Sequence, residues 1–213
     1  MVTLNNPSTL TPLFQALDEA DSPLKILQAV KALAETRDPA VLPVLIRVLA
    51  YNNPGAAVAA VDGLIAQGSA AAEALLDNID DYNYGARAWS LRALAGIGDP
   101  RALDLLCKAA KEDFALSVRR AATRGLGGIR WEQVAVQECS SRQQQAFEAL
   151  DHCRHDPEWV VRYAAASALE LLGAALAGEQ RDALLTLLAA IARDDAERAV
   201  AARATLALQR LGA

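Results

Sequence analysis

Aromatic side chains are scarce in this chain, with three Trp, four Tyr and three Phe among 213 residues. Ala and Leu dominate instead, and 53% of residues are hydrophobic. That is the composition of closely packed helices, with small residues where backbones approach. Histidine occurs twice, and cysteine stops at Cys107, Cys139 and Cys153. An odd, unevenly spaced set builds no disulfide framework and suits a reducing compartment. Cys139, His152, Cys153 and His155 match no usual zinc spacing, and adjacent His152 and Cys153 diverge on a helix, so no metal site is expected. No apolar run reaches the roughly 18 residues that span a bilayer. The stretch Ala56–Ala66 is interrupted by Asp62 and Gly63. MVTLNNPSTLTP at the N-terminus has neither the basic nor the apolar region of a secretory leader, so a cytoplasmic protein without membrane insertion is expected. A net charge of -5 argues against a broad phosphate-binding face and hence against a nucleic-acid partner. Neither a Gly-rich phosphate cradle nor a Ser/His/Asp order appears.

What is present is a repeat. The unit is clearest in Asp81–Gly98, DYNYGARAWSLRALAGIG: an acid, aromatics, an Arg, then an apolar helix closed by Gly. Equivalent leucines stand at Leu33, Leu64, Leu94, Leu126, Leu169 and Leu208, at intervals of 31, 30, 32, 43 and 39. The spacing predicts six helical hairpins, pairing Leu10–Ala20 with Pro23–Glu35, Pro39–Ala50 with Pro54–Gln67, Ala70–Ile79 with Tyr84–Ile97, Arg101–Glu112 with Ala115–Ile129, Arg142–Arg154 with Pro157–Leu172, and Glu179–Arg193 with Ala196–Leu211. An irregular insertion is expected near Arg130–Ser141, as a loop or short extra turn.

Pro23, Pro39, Pro54, Pro100 and Pro157 suit first helical turns, and Asp21, Asp38, Asp99 and Asp156 stand where they can cap them. Gly68, Gly98, Gly173 and Gly212 suit helix ends. No such hairpin hides its apolar face alone, so neighbours must stack. The expected fold is an all-α, right-handed α-solenoid forming one domain over residues 1–213, with second helices lining the concave side.

Two signatures, ALAGIGDPRALDLL and DFALSVRRAATRGLG followed by DPEWVVRYAAASALELLG, resemble the short HEAT-like repeats of the phycobilisome lyases. The span Asn78–Leu126, with its YNYGARAW stretch, is most similar to the F-type (beta) subunits of E/F-type phycocyanobilin lyases. The resemblance implies a heterodimer with an E-type (alpha) subunit. It implies phycocyanobilin as transferred substrate, with no permanently bound cofactor. The acceptor is a cysteine of the apo-phycocyanin alpha subunit, whose thiol adds across the ethylidene double bond of ring A to form a thioether. The nucleophile belongs to the acceptor, so this chain need not supply one. Two rival readings are a non-catalytic HEAT-repeat scaffold binding a protein, and a relative that detaches bilin or helps dismantle the antenna.

A linear tetrapyrrole needs aromatic or apolar walls, a carboxylate for its pyrrole N–H groups and cations for its propionates. Candidate carboxylates are Asp81, Asp113 and Asp156, each six residues before an Arg: Arg87, Arg119 and Arg162. These Asp/Arg sets read either as part of the site or as a ladder tying neighbouring repeats. Arg120 and Arg124 fall outside that register and are candidates for the propionates, or else a solvated face. Tyr82, Tyr84, Trp159 and Tyr163 cluster at second-helix starts as candidate walls. Trp89 takes a position held by Ala121 and Ala164 elsewhere, as core packing or as a pocket floor. Trp131, in the insertion, covers an edge or meets a partner. Certain isomerising relatives depend on a His-Cys pair in a Gly/Asn-rich motif; ALDHCRHD lacks those neighbours, and isomerase activity is not expected.

Overall fold

The structure, a computed structural model, describes residues 7–80 and 82–213. Asp81 therefore lies outside the described residues. The chain divides into two compact units, Met1–Ile97 and Gly98–Ala213. The described residues are mostly helical and contain no strand.

The first unit holds α1 (Pro7–Asp18), α2 (Pro23–Thr36), α3 (Leu42–Val48), α4 (Pro54–Gln67), α5 (Ser69–Asp77) and α6 (Tyr84–Ile97). Successive helices pair as hairpins, and the second helices α2, α4 and α6 pack in series. Their contact surface is small-residue rich: Ala56, Ala57, Ala60, Leu64, Leu91 and Leu94 are all buried. The second unit holds α7 (Leu103–Glu112), α8 (Leu116–Gly127), α9 (Val136–Cys153), α10 (Trp159–Ala175), α11 (Gly178–Asp194) and α12 (Arg198–Leu211). Here α8, α10 and α12 pack in series, while α7, α9 and α11 form the outer row. The expected all-α solenoid of paired helices is thus built from burial of Leu and Ala stripes, each Leu contributing roughly 2–3 kcal/mol.

The helix starts follow the punctuation with instructive differences. Asn53 Oδ1 accepts from Ala56 N–H and starts α4. Ser22, not Asp21, caps α2; Asp21 instead pairs with Lys25 at 2.9 Å. Asp38 and Asp99 do cap, but each starts a short 3-10 turn, Pro39–Val41 and Pro100–Ala102, so α3 and α7 begin later than the prolines. Gly98 has φ +71°, and an added Cβ would strike the Gly128 carbonyl, while its own carbonyl accepts from Arg130 N–H at 2.9 Å. Only glycine fits that approach.

Two expectations need correcting. Gly173 does not end a helix: it lies within α10, where an added Cβ would stand 2.9 Å from both Leu184 and Leu211. Glycine is there for close packing. The insertion is also mostly helix. A 3-10 turn covers Trp131–Gln133, and α9 starts at Val136, six residues before Arg142. Ser141 lies within α9 with its hydroxyl donating to the Glu138 carbonyl, and Gln143 and Ser140 tie this part of the helix to Ala175 and Gln180. Trp131 is 9% exposed, so its ring covers an edge of the core.

Candidate functional site

In the first unit, Asp80 Oδ1 accepts from the N–H groups of both Tyr82 and Asn83 at 2.9 Å, and Asn83 Oδ1 accepts from Ala86 N–H. This turn locks the backbone and leaves Tyr82 99% exposed. Tyr84, on the first turn of α6, is also exposed. Arg87 is buried and its Nη1 donates to the Asp80 carbonyl at 3.3 Å. Trp89 is half-buried, with the Arg92 guanidinium 5.2 Å from its ring centroid. That cation–π contact leaves one face of the indole engaged at the surface.

In the second unit, the Asp/Arg series forms rungs between repeats. Arg119 Nε and Nη2 donate to Asp156 at 2.7 and 3.2 Å, and its Nη1 donates to the carbonyls of Asp113 and Phe114. Arg162 repeats the arrangement one repeat later, with Asp195 at 2.8 and 3.0 Å and the carbonyls of Asp156 and Pro157. Bonding to Asp156 and Asp195 pushes both guanidinium groups above their ordinary range. Asp156 also takes Glu158 N–H, and Asp113 takes Ala115 N–H, which shapes both turns. Arg119, Arg162 and Asp156 thus have their polar groups engaged within the protein. The series ends at Asp195, because Ala201 stands where the next Arg would be. An open depression of about 480 Å³ runs beside these rungs, lined by Arg154, His155, Asp156, Arg162 and Asp195.

Beside the ladder, starting one residue on from Arg119 and Arg162, lies a different surface. On α8, Arg120 and Arg124 are exposed. On α10, Trp159 is 45% and Tyr163 40% exposed. Counted from the turn acids, Arg120 and Tyr163 hold the same position, as do Arg124 and Ser167. Since α8 packs directly on α10, a cationic stripe and an aromatic stripe lie side by side.

The structure adds a cluster that periodicity did not pick out. Arg203 of α12 stands 2.7 Å from Glu170 of α10, and its Nε donates to the Ser167 hydroxyl at 2.9 Å. Ser167 in turn donates to the Tyr163 carbonyl, and Arg210 reaches Glu170 at 3.2 Å. Burial alone would raise the Glu170 carboxyl; Arg203 and Arg210 outweigh it and hold it below the usual range. The one sequence signal was an Arg at the position Trp89 holds in its own repeat. Among the described residues, no three His, Cys, Asp or Glu side chains gather to hold a metal, and no helix is long and apolar enough to cross a membrane.

The profile for HEAT repeats matches residues 10–84, 52–127 and 72–170. The chain is 51% identical over 209 residues to the phycocyanin alpha phycocyanobilin lyase CpcF of Synechocystis, covering 96% of this chain and 97% of that one. The chain belongs to the CpcF family of phycocyanobilin lyase beta subunits. A second relative of the family, the phycobilisome maturation protein of Synechococcus elongatus, is 57% identical, covering 95% of this chain and 98% of that one. Among solved structures, the CpcE–CpcF complex of phycocyanin lyase from Nostoc matches with a TM-score of 0.73 and 45% identity, covering 80% of this chain and 99% of the matched chain. A designed armadillo repeat protein matches at 16% identity and a TM-score of 0.52, covering 94% of this chain and 98% of that one; this likeness concerns the fold alone.

Proposed function

We propose that this chain is the beta subunit of a heterodimeric phycocyanobilin lyase. With an E-type partner it attaches phycocyanobilin through a thioether to a cysteine of the phycocyanin alpha subunit. The observation that carries this reading is identity to a CpcF over nearly the full length of both chains. The fold match to a chain from a CpcE–CpcF complex supports the two-subunit form. The bilin is a transferred substrate rather than a resident cofactor, and the work is cytoplasmic, where phycobilisomes are assembled.

In this reading the chain supplies binding and orientation, not a nucleophile. Arg120 and Arg124 hold propionates while Trp159 and Tyr163 support the rings; Tyr82, Tyr84 and Trp89 give the first unit a comparable aromatic surface. Arg87, Arg119 and Arg162, with Asp113 and Asp156, keep the second-helix starts in register. Asp81, by its place in the sequence register, is a candidate partner for pyrrole N–H groups. Holding chromophore and acceptor thiol in one geometry accelerates addition and fixes its stereochemistry. Co-expression with an E-type subunit, apo-phycocyanin alpha and bilin synthesis tests the function. Covalent fluorescence on phycocyanin alpha is expected only when both subunits are present. Equal labelling without this chain would refute it.

A further inference from the structure

A protein that handles a thiol-reactive chromophore must avoid becoming its acceptor. Thioether formation consumes only a thiol and a double bond: sulfur bonds to the ethylidene carbon, the thiol proton passes to the ring carbon, and nothing is oxidised. Any reachable thiol on the carrier therefore competes with the intended cysteine.

Of the three cysteines, two sit in the interior of the second unit. Cys153 of α9 is 1% exposed. Its Sγ lies 3.6 Å from the Ala110 carbonyl of α7 and 3.3 Å from Thr123 Oγ1 of α8. The single Thr123 hydroxyl proton has a nearer acceptor, the Arg119 carbonyl at 2.8 Å. The thiol donates to the Ala110 carbonyl, and burial outweighs the opposing bond from the Thr123 hydroxyl, so S–H is favoured over thiolate. Cys107 of α7 is 4% exposed, with the Gln145 carbonyl of α9 at 3.9 Å from its sulfur. Burial pushes each thiol up to about 11. His152, the chain neighbour of Cys153, is exposed and diverges from the buried thiol on the helix. Cys139 is half-buried, its sulfur 4.0 Å from the Trp131 carbonyl.

We propose that the fold withholds Cys107 and Cys153 behind α7, α8 and α9 so that the chain cannot capture its own bilin, leaving Cys139 as the one position where capture can occur. The electrophile in this inference rests on the lyase reading; the withholding itself does not. In the native chain with its E-type partner, iodoacetamide at pH 8 should label Cys139 and lag on Cys107 and Cys153. Thiolate fraction alone makes the lag on the order of 100-fold against an ordinary cysteine. Denaturant should make the three equal. Excess phycocyanobilin, followed by peptide mass mapping, should place no adduct on Cys107 or Cys153. A Gln137→Cys variant, at an exposed site on α9, should accept bilin at position 137. An adduct on either buried cysteine of the native chain would overturn the proposal, as would equal labelling rates. An unreactive position 137 would overturn it too, because exposure would then not decide capture. Failure of the lyase reading appears instead in the transfer assay and leaves the labelling pattern unchanged.

Discussion

Replacing Asp195 with Asn should destabilise the second unit, while the same change at its neighbour Asp194 should not. Asp195 accepts from Arg162 Nε at 2.8 Å and Nη2 at 3.0 Å, and also from Glu197 N–H at 2.9 Å. The two side chains are 17% and 7% exposed. An amide in either orientation turns an NH2 group toward a donor, leaving the guanidinium under-satisfied. Loss of a buried partner costs about 3–5 kcal/mol; Arg162 keeps two carbonyl acceptors, so roughly 2–3 kcal/mol is expected, or about 5–10 °C in Tm. Asp194 pairs with Arg193 at 2.7 Å with both side chains in solvent, and Asp194→Asn should leave the midpoint where it is.

The pH dependence follows from the same geometry. Burial would raise the Asp195 carboxyl, but bonds from Arg162 and Glu197 N–H outweigh it and hold it below its ordinary value. A depressed folded value means that the contribution is present above the unfolded value of about 3.9 and drains as pH falls through the folded one. Thermal or urea melts of wild type and Asp195→Asn should therefore separate at pH 7, and the gap should close only as pH is lowered past about 4 toward the depressed folded value. A gap that ignores pH, or an Asp194→Asn variant as weak as Asp195→Asn, would refute the ladder as a source of stability.

Other substitutions probe other seams. A Cβ on Gly127 would stand 2.6 Å from the Ala168 backbone, so Gly127→Ala should cost about 1–3 kcal/mol despite better helix propensity. Gly55→Ala meets only ordinary contacts from 3.5 Å outward and should be neutral or stabilising by up to about 1 kcal/mol in the same urea melts. Arg203→Ala strips Glu170 of its buried partner, with side chains 11% and 14% exposed, and should cost about 2–4 kcal/mol. Arg210, 59% exposed, also reaches Glu170, and its removal should cost under about 1 kcal/mol, as calorimetry can check.

Helix limits were most legible in the regularly spaced central repeats: Pro54–Gln67 and Tyr84–Ile97 form to the residue. They were least legible where one residue type has two uses. Gly173 reads as a terminator but is a packing glycine, and the insertion through Ser141 reads as a break but is largely the first turns of α9. Asp156 reads as a helix cap, yet it divides its oxygens between Arg119 and Glu158 N–H, so α10 starts at Trp159. The Asp/Arg rungs showed as a fixed six-residue offset because they recur with the repeat. The Glu170–Arg203–Arg210 cluster did not, because one long side chain crossing to the next helix leaves no period in the sequence.

Bilin recognition by the exposed face of α8 and α10 is best tested by an absorption titration of phycocyanobilin with this chain and its E-type partner. Wild type should give a red-shifted, intensified band. An Arg120→Ala/Tyr163→Ala double variant should bind at least about tenfold more weakly, having lost a charge pair and a stacking surface, with its helical circular dichroism unchanged. Equal affinity in the two proteins, or weaker binding that only accompanies loss of helix, would contradict the assignment.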